Sequence, residues 1–489
     1  MESLSRAHLP SDDLVSGFRA QARSRPAAIA LSWRGVPVSY GELSAMAAAE
    51  EAALAARGLG PGDTVGVRAA KSPRAIALLL ACQALRLPCC VPAAGLPPAI
   101  LDELFRRAGC VQIVEPGERS RATGRPDPGL RPRDSPRPSP RPSDPPHPGD
   151  VTFILTTSGS TGVPKLVPLT RGGIAAFVSW AAERFGIGQG TRVLSYAPLN
   201  FDLSLLDVWT TLARGGCAVL VPQEQATDGR RLLSLLAEHE VDVVQAVPML
   251  FHLLTRHADG ERLAAGHVVI TGDTAPAPLL EATAKLFPNA TLYNLYGCTE
   301  TNDSLLHEIT APETPLPLGE PLPGVQCRLV GEDGTEFDGP GVGELHVRTP
   351  FQSPGYLGAQ DGGPFTADGF FRSGDLVRRH PGGALTLEGR TDHHVKVRGS
   401  RVNTAEVERV LSGHPDVVEA AVVALPDPAA GHRLHAVVRH RPGSGLNSLQ
   451  LRAHCVTLLP RGAVPGTFTI AGDALPRTTT GKIDRRRLA

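Results

Sequence analysis

At 489 residues the chain exceeds what one ordinary hydrophobic core holds, so two or more domains are expected. Its 49 basic and 49 acidic residues cancel to a formal net charge of zero, which removes the broad electrostatic reason to expect nucleic acid or an anionic membrane as a partner. Aromatic residues make up only 4%, too few for a base-stacking surface, and the eight cysteines (82, 89, 90, 110, 217, 298, 327 and 455) form no C-x-x-C pair, reading as reduced thiols in a cytoplasmic protein.

The start, Met1-Glu-Ser-Leu-Ser-Arg6, leads into polar and acidic residues, so no secretory signal is expected. The apolar run Ala75 to Cys82 is far too short to span a bilayer. Residues 118 to 149 are dense in proline and arginine with no large apolar groups; they read as an extended, flexible insert whose arginines solubilise it. Val151-Thr-Phe-Ile-Leu155 is a strand signal, and it feeds Thr156-Thr-Ser-Gly-Ser-Thr-Gly-Val-Pro-Lys165. Strands are then expected at Arg192 to Leu199, Cys217 to Pro222, Val241 to Val247 and His267 to Gly272. Helices are expected between them at Gly229 to Glu240, Pro248 to His257 and Pro278 to Phe287. That alternation gives an α/β fold with a mainly parallel sheet. The pattern resets near Gly389-Arg-Thr-Asp392, predicting a large unit over 1–391 and a small α+β unit over 392–489.

The stretch 156–165 is the first to suggest chemistry. Glycines free the backbone, hydroxyls donate hydrogen bonds and a lysine adds charge, a composition suited to wrapping phosphate. It is not a Walker A sequence, and no G-x-G-x-x-G follows the neighbouring strands. Four further groups come after it: Asn294-Leu-Tyr-Gly-Cys-Thr-Glu300, Phe371-Arg-Ser-Gly-Asp375, Gly389-Arg-Thr-Asp392 and Thr480-Gly-Lys-Ile-Asp484. Taken singly, Tyr296 reads as packing, Asp375 as a turn residue after Gly374, and Glu300 as a solvated charge at a helix start.

In this order, the motifs resemble the adenylate-forming enzymes, most closely the free-standing amino-acid adenylation domains of nonribosomal peptide synthesis. Val38-Ser-Tyr-Gly-Glu-Leu43, Phe201-Asp-Leu-Ser204, Gly343-Glu-Leu-His-Val347, Gly355-Tyr-Leu357 and Val395-Lys-Val-Arg-Gly399 extend the likeness over nearly the whole chain. The resemblance implies that Thr157, Ser158, Gly159, Ser160, Thr161, Gly162 and Lys165 hold the β- and γ-phosphates of ATP. It puts Tyr296 on the adenine, with Asn294 and the Gly272 backbone at the base edge. Asp375 takes the ribose hydroxyls with Arg390 beside it, Thr299 meets the α-phosphate, and Glu300 holds Mg2+. Lys482, on a mobile small domain hinged at Asp392, opposes the repulsion between substrate carboxylate and α-phosphate. That interaction is worth about 4 kcal/mol at contact for an effective dielectric near 20.

The likeness also implies an amino-acid substrate: Asp202 would pair with its α-ammonium, since a buried carboxylate without a cation is costly. Read alone, Asp202 is a helix N-cap. Leu203, Leu206, Gln245, Val269, Thr271, Leu295, Asp303 and Ser304 would line the pocket, with Gln245 and Asp303 its polar exceptions. These point to a substrate with a side-chain amine or hydroxyl, or with a displaced amino group. Cys298, Leu166, Leu87-Pro-Cys-Cys90 and Asn403 depart from the family's usual residues. Without carrier, condensation or thioesterase motifs, the chain reads as free-standing, acting on the phosphopantetheine of a separate carrier protein past Gly399. Two alternatives stand: an acyl- or aryl-CoA ligase of the same fold, and an inactive relative serving as an interaction protein.

Overall fold

The computed structural model describes residues 13–93, 95–116, 146–157, 164–313, 315–358, 363–391, 394–427, 431–441, 443–476, 483 and 485–488. The proline- and arginine-rich insert lies outside the described residues as far as residue 145.

Buried β-branched and aliphatic runs build a nine-stranded sheet. Its centre is parallel, in the order Thr291–Cys298, His267–Thr271, Val243–Ala246, Arg192–Ser195, Cys217–Leu220 and Ile29–Trp33, and antiparallel strands lie outside it on both sides. A second, mainly parallel sheet runs Gln112–Val114, Val65–Val67, Cys89–Cys90, Val151–Thr157 and Lys165–Thr170, the last pair antiparallel. Parallel strands need both faces covered, and the covering helices carry ordinary start signals. Pro248–His257 has proline in its first turn, and Gly229–Glu238 is capped by the Asp228 side chain accepting from the Arg231 amide at 3.1 Å. The Val38–Leu43 motif is a helix start too. Ser39 and Glu42 form a reciprocal capping box, while the buried Tyr40 hydroxyl donates to the Gly216 carbonyl at 2.8 Å.

A third, five-stranded sheet containing Gln326–Val330, Gly341–Arg348, Phe371–Arg379 and Leu385–Arg390 is wholly antiparallel, which the sequence pattern had not distinguished. Beyond it come the hairpin His394–Val397/Ser400–Asn403 and a three-stranded sheet, Val417–Asp427, Gly431–His440 and Thr467–Ala471, with its own apolar core. Helices Thr404–Ser412 and Ser448–Leu458 pack there, so the architecture is a large α/β part followed by a smaller α+β part.

Strand boundaries shift inward from those expected. The strand starting at Arg192 ends at Ser195, not Leu199; others close at Leu220 and Thr271, and one spans only Val243–Ala246. The helices run Gly229–Glu238 and Ala277–Leu286.

Candidate active site

Two hairpins and the carboxyl ends of the parallel strands assemble the first cluster. In the antiparallel pair Val151–Thr157/Lys165–Thr170, Thr157 pairs directly with Lys165, so the two strands flank the glycine- and hydroxyl-rich stretch of sequence. Ser158, Gly159, Ser160, Thr161 and Gly162 themselves lie outside the described residues. The Thr157 hydroxyl is buried with no hydrogen-bond partner. The Lys165 ammonium stands 4.7 Å from the centre of the Tyr356 ring, and the Tyr356 hydroxyl donates to Glu300 Oε1 at 2.5 Å. Glu300 is 1% exposed, so it is no solvated helix-start charge. Tyr356, from the Gly355-Tyr-Leu357 motif, thus joins lysine to carboxylate.

The second cluster is built on the antiparallel sheet. Asp375 lies inside the strand Phe371–Arg379, not in a turn, and faces Arg390 across the ladder. Its Oδ1 accepts from the Arg390 guanidinium and its Oδ2 from the Tyr296 hydroxyl at 2.5 Å. Burial pushes the Tyr296 phenol well above its usual range, and the Asp375 charge adds to the shift. The Ser373 hydroxyl fixes the turn of backbone by donating to the Leu345 carbonyl at 2.6 Å and accepting from the Asp375 amide at 3.0 Å. Glu344, in the Gly343–Val347 motif, accepts from the Gly374 amide at 3.0 Å. Asn294 shares a strand face with Tyr296, and its amide donates to the Pro317 carbonyl at 2.6 Å.

Gly272 ends the strand His267–Thr271 with a left-handed φ of +80°. A Cβ there would stand 3.0 Å from Val247 Cγ1, and one on Gly399 would stand 2.3 Å from the same atom. Gly399 belongs to the hairpin 394–403, whose Lys396 ammonium is 6.0 Å from the Tyr296 ring centre. That hairpin therefore lies at the cleft. Lys482 and Asp392 fall outside the described residues; Ile483 packs with Ala421, Val437 and Leu475 on the small sheet.

The third cluster is acidic. After Asp202 the chain enters a wide, π-helical turn, Leu205–Thr210, a form of helix frequent at functional sites. Asp202 Oδ1 accepts the Leu203 amide at 3.0 Å. Burial raises the Asp202 pKa above its ordinary 3.8, the Thr299 hydroxyl beside it opposes the rise, and the Glu300 charge adds to it. Around it, Leu206, Val269, Thr271, Leu295 and Ser304 are buried, and Leu203 is half-buried. Gln245 pairs with Val269, Thr271 with Leu295 and Asp303 with Gly297 across successive strands. The Thr271 hydroxyl donates to the Leu295 carbonyl at 2.6 Å, and Gln245 Nε2 donates to the Leu203 carbonyl at 3.4 Å. These contacts bring the pocket residues proposed from sequence to one end of the large sheet.

Two residues there were missed by sequence reasoning. Asp207 is fully buried on the π-helical turn, and neither of its oxygens has a hydrogen-bond partner of ordinary geometry. Lys71 donates to the carbonyls of Ser195, Tyr196 and Ala197 at 2.5, 3.1 and 3.0 Å. Burial brings its ammonium down to about 7, with the Asp207 charge opposing. A signal for Lys71 did exist. Among 49 basic residues only Lys71, Lys165, Lys285, Lys396 and Lys482 are lysines, so each is a departure from the chain's arginine habit.

This geometry accords with the comparisons. An AMP-binding enzyme profile matches residues 18–357 and an AMP-binding enzyme C-terminal domain matches residues 406–482. The chain belongs to the AMP-binding enzyme family. Among its relatives is the L-proline--[L-prolyl-carrier protein] ligase of Streptomyces coelicolor, 33% identical over 96% of this chain and 94% of that protein. The ligase of the same name from Pseudomonas fluorescens is 35% identical over 70% of this chain and 69% of its own length. Among solved structures, IdnL1 superposes with a TM-score of 0.79 at 30% identity, over 96% of this chain and all of that one. No helix among the described residues is long and apolar enough to cross a membrane.

Proposed function

We propose that this chain is an ATP-dependent ligase that joins an amino acid to AMP, releases pyrophosphate, and passes the aminoacyl group to the phosphopantetheine thiol of a carrier protein. The observation that carries the reading is the convergence of Asp202, Thr299 and Glu300: Thr299 and Glu300 both act on the Asp202 carboxyl, so an ammonium site adjoins the phosphate-binding cluster. The two ligase relatives named for a prolyl carrier protein support the acceptor assignment.

In this mechanism Asp202 holds the substrate ammonium, which leaves its carboxylate directed toward the α-phosphorus. Thr157, Lys165 and the turn between them take the β- and γ-phosphates. Asp375, already held by Arg390 and Tyr296, accepts both ribose hydroxyls. Glu300 suits Mg2+, because a hard cation needs oxygen ligands and this carboxylate is oriented by Tyr356. Once bound, the ion would supply charge neutralisation for the phosphates. Lys482 approaches the carboxylate during adenylation. A swing at Asp392, dividing 1–391 from 392–489, then brings the hairpin carrying Lys396 and Gly399 to the cleft for thiol attack. The described conformation, with Gly399 against Val247, supports the second of these two states. The free thiols are in keeping with a cytoplasmic site of action.

The test is mass spectrometry of a phosphopantetheine-bearing carrier protein incubated with the enzyme, ATP, Mg2+ and a mixture of amino acids. An aminoacyl adduct is expected. Discharge onto free coenzyme A in its place would replace the reading with a CoA ligase.

A further inference from the structure

The pocket's charges do not balance. Asp202, Asp207 and Asp303 act on one another electrostatically in sequence: Asp202 raises the Asp303 pKa and Asp303 raises that of Asp207, in each case behind the larger effect of burial. Lys71 and the Ala197 backbone draw Asp207 downward without undoing that effect. Among the described residues, Lys71 is the only cation acting on this trio, and its own ammonium is occupied by three carbonyls.

Two polar side chains there also lack partners. Among the described residues, Asp207 is 0% exposed with no hydrogen bond of ordinary geometry to either oxygen, and Gln245 is 1% exposed with Oε1 unpaired while its Nε2 reaches the Leu203 carbonyl. A buried acceptor left in that state is costly, more so when charged. The need is therefore for a donor that the protein itself does not provide. A metal ion does not answer it, because no group of three His, Cys, Asp or Glu among the described residues converges closely enough to hold one. The carboxylates are spread along the π-helical turn and the strand Asn302–Glu308, which suits an extended organic cation.

We infer that the amino acid activated here carries a second basic nitrogen: Asp202 holds the nitrogen nearest the reacting carboxylate, and Asp303, with the Gln245 carbonyl, receives the other. A diamino acid brings two ammonium groups to these acids, one for Asp202 and one for Asp303. Asp207, which Asp303 acts on electrostatically, deepens the negative potential of the pocket. This inference rests on the amino-acid ligase reading and names its substrate class.

The experiment is amino-acid-dependent ATP–pyrophosphate exchange by the whole enzyme with matched pairs: 2,4-diaminobutyrate, ornithine and lysine against 2-aminobutyrate, norvaline and norleucine, with proline included. At least one diamino acid is expected to exceed its neutral counterpart in kcat/KM by about 10- to 150-fold, the worth of one hydrogen bond to a charged group. Asp303→Asn and Asp303→Ser should both collapse that ratio toward unity. Leadership by proline or any neutral amino acid, or a ratio unchanged in both variants, overturns the inference while leaving the ligase reading intact. Exchange with no amino acid at all would instead overturn the ligase reading.

Discussion

The proposed nucleotide side and the proposed amino-acid side of the site treat charge in opposite ways. On the nucleotide side, Asp375 is held by Arg390 and Tyr296, and Glu300 by Tyr356, whose ring also faces Lys165. Its acids are oriented before any ligand arrives. On the other side, among the described residues, Asp207 has no hydrogen bond of ordinary geometry and the Gln245 carbonyl has no partner, and burial lifts Asp202 and Asp303 toward their neutral forms. The difference teaches where binding energy resides. A preorganised network fixes a ligand common to a whole enzyme family, whereas an unbalanced one is completed only by a particular substrate.

Breaking the paired side should cost most. Asp375→Ala strands the Arg390 guanidinium in a largely buried site, and removing one partner of a buried pair typically costs about 3–5 kcal/mol. Thermal melting and ATP binding should both register the loss. Unchanged values would show that the pair is ornamental.

Lys482→Ala comes next, with adenylation expected to fall about 100- to 1,000-fold. Thioester formation from preformed aminoacyl-AMP should persist, because that step uses the other small-domain arrangement. Equal loss in both half-reactions would contradict the two-state account.

The expectations that held were those with local causes. Runs such as Val243–Ala246 and His267–Thr271 are β-branched and buried on both sides, and that composition alone announces a parallel strand. The strand expected to reach Leu199 stops at Ser195, and the next two carbonyls, of Tyr196 and Ala197, turn to Lys71, a residue far away in sequence. The antiparallel sheet was not anticipated, since Gly341–Arg348 and Phe371–Arg379 are interrupted by glycine and charge, and Asp375 looks like a turn until its partner across the ladder is known. Site residues inside motifs could be named from sequence. Asp207, which meets Lys71 only across the fold, could not, and Lys71 was marked only by being one of five lysines.

Tyr356→Phe sharpens the comparison at smaller scale. Deleting one hydrogen bond to a carboxylate is worth about 1.5–3 kcal/mol, and it should surface as a higher Mg2+ concentration for half-maximal exchange with folding intact. An unaltered Mg2+ titration would show that Tyr356 does not orient Glu300.

Acidity distinguishes the two sides with the smallest effect. Asp202 and Asp303 have pKa values raised above 3.8, and only their ionised forms hold ammonium. As pH rises through those raised values, each releases its proton and the KM for the amino acid should fall. The KM for ATP should not follow that profile. Parallel profiles would mean the carboxylates do not receive the substrate's nitrogen.

The most direct measurement is ATP–pyrophosphate exchange by the wild-type enzyme and Asp202→Ala, each offered an amino acid and its deaminated analogue. The wild type should require the amino group, and the variant should lose that discrimination along with most of its exchange. An enzyme that exchanges equally well with the deaminated acid, or a variant that discriminates as before, would contradict the account.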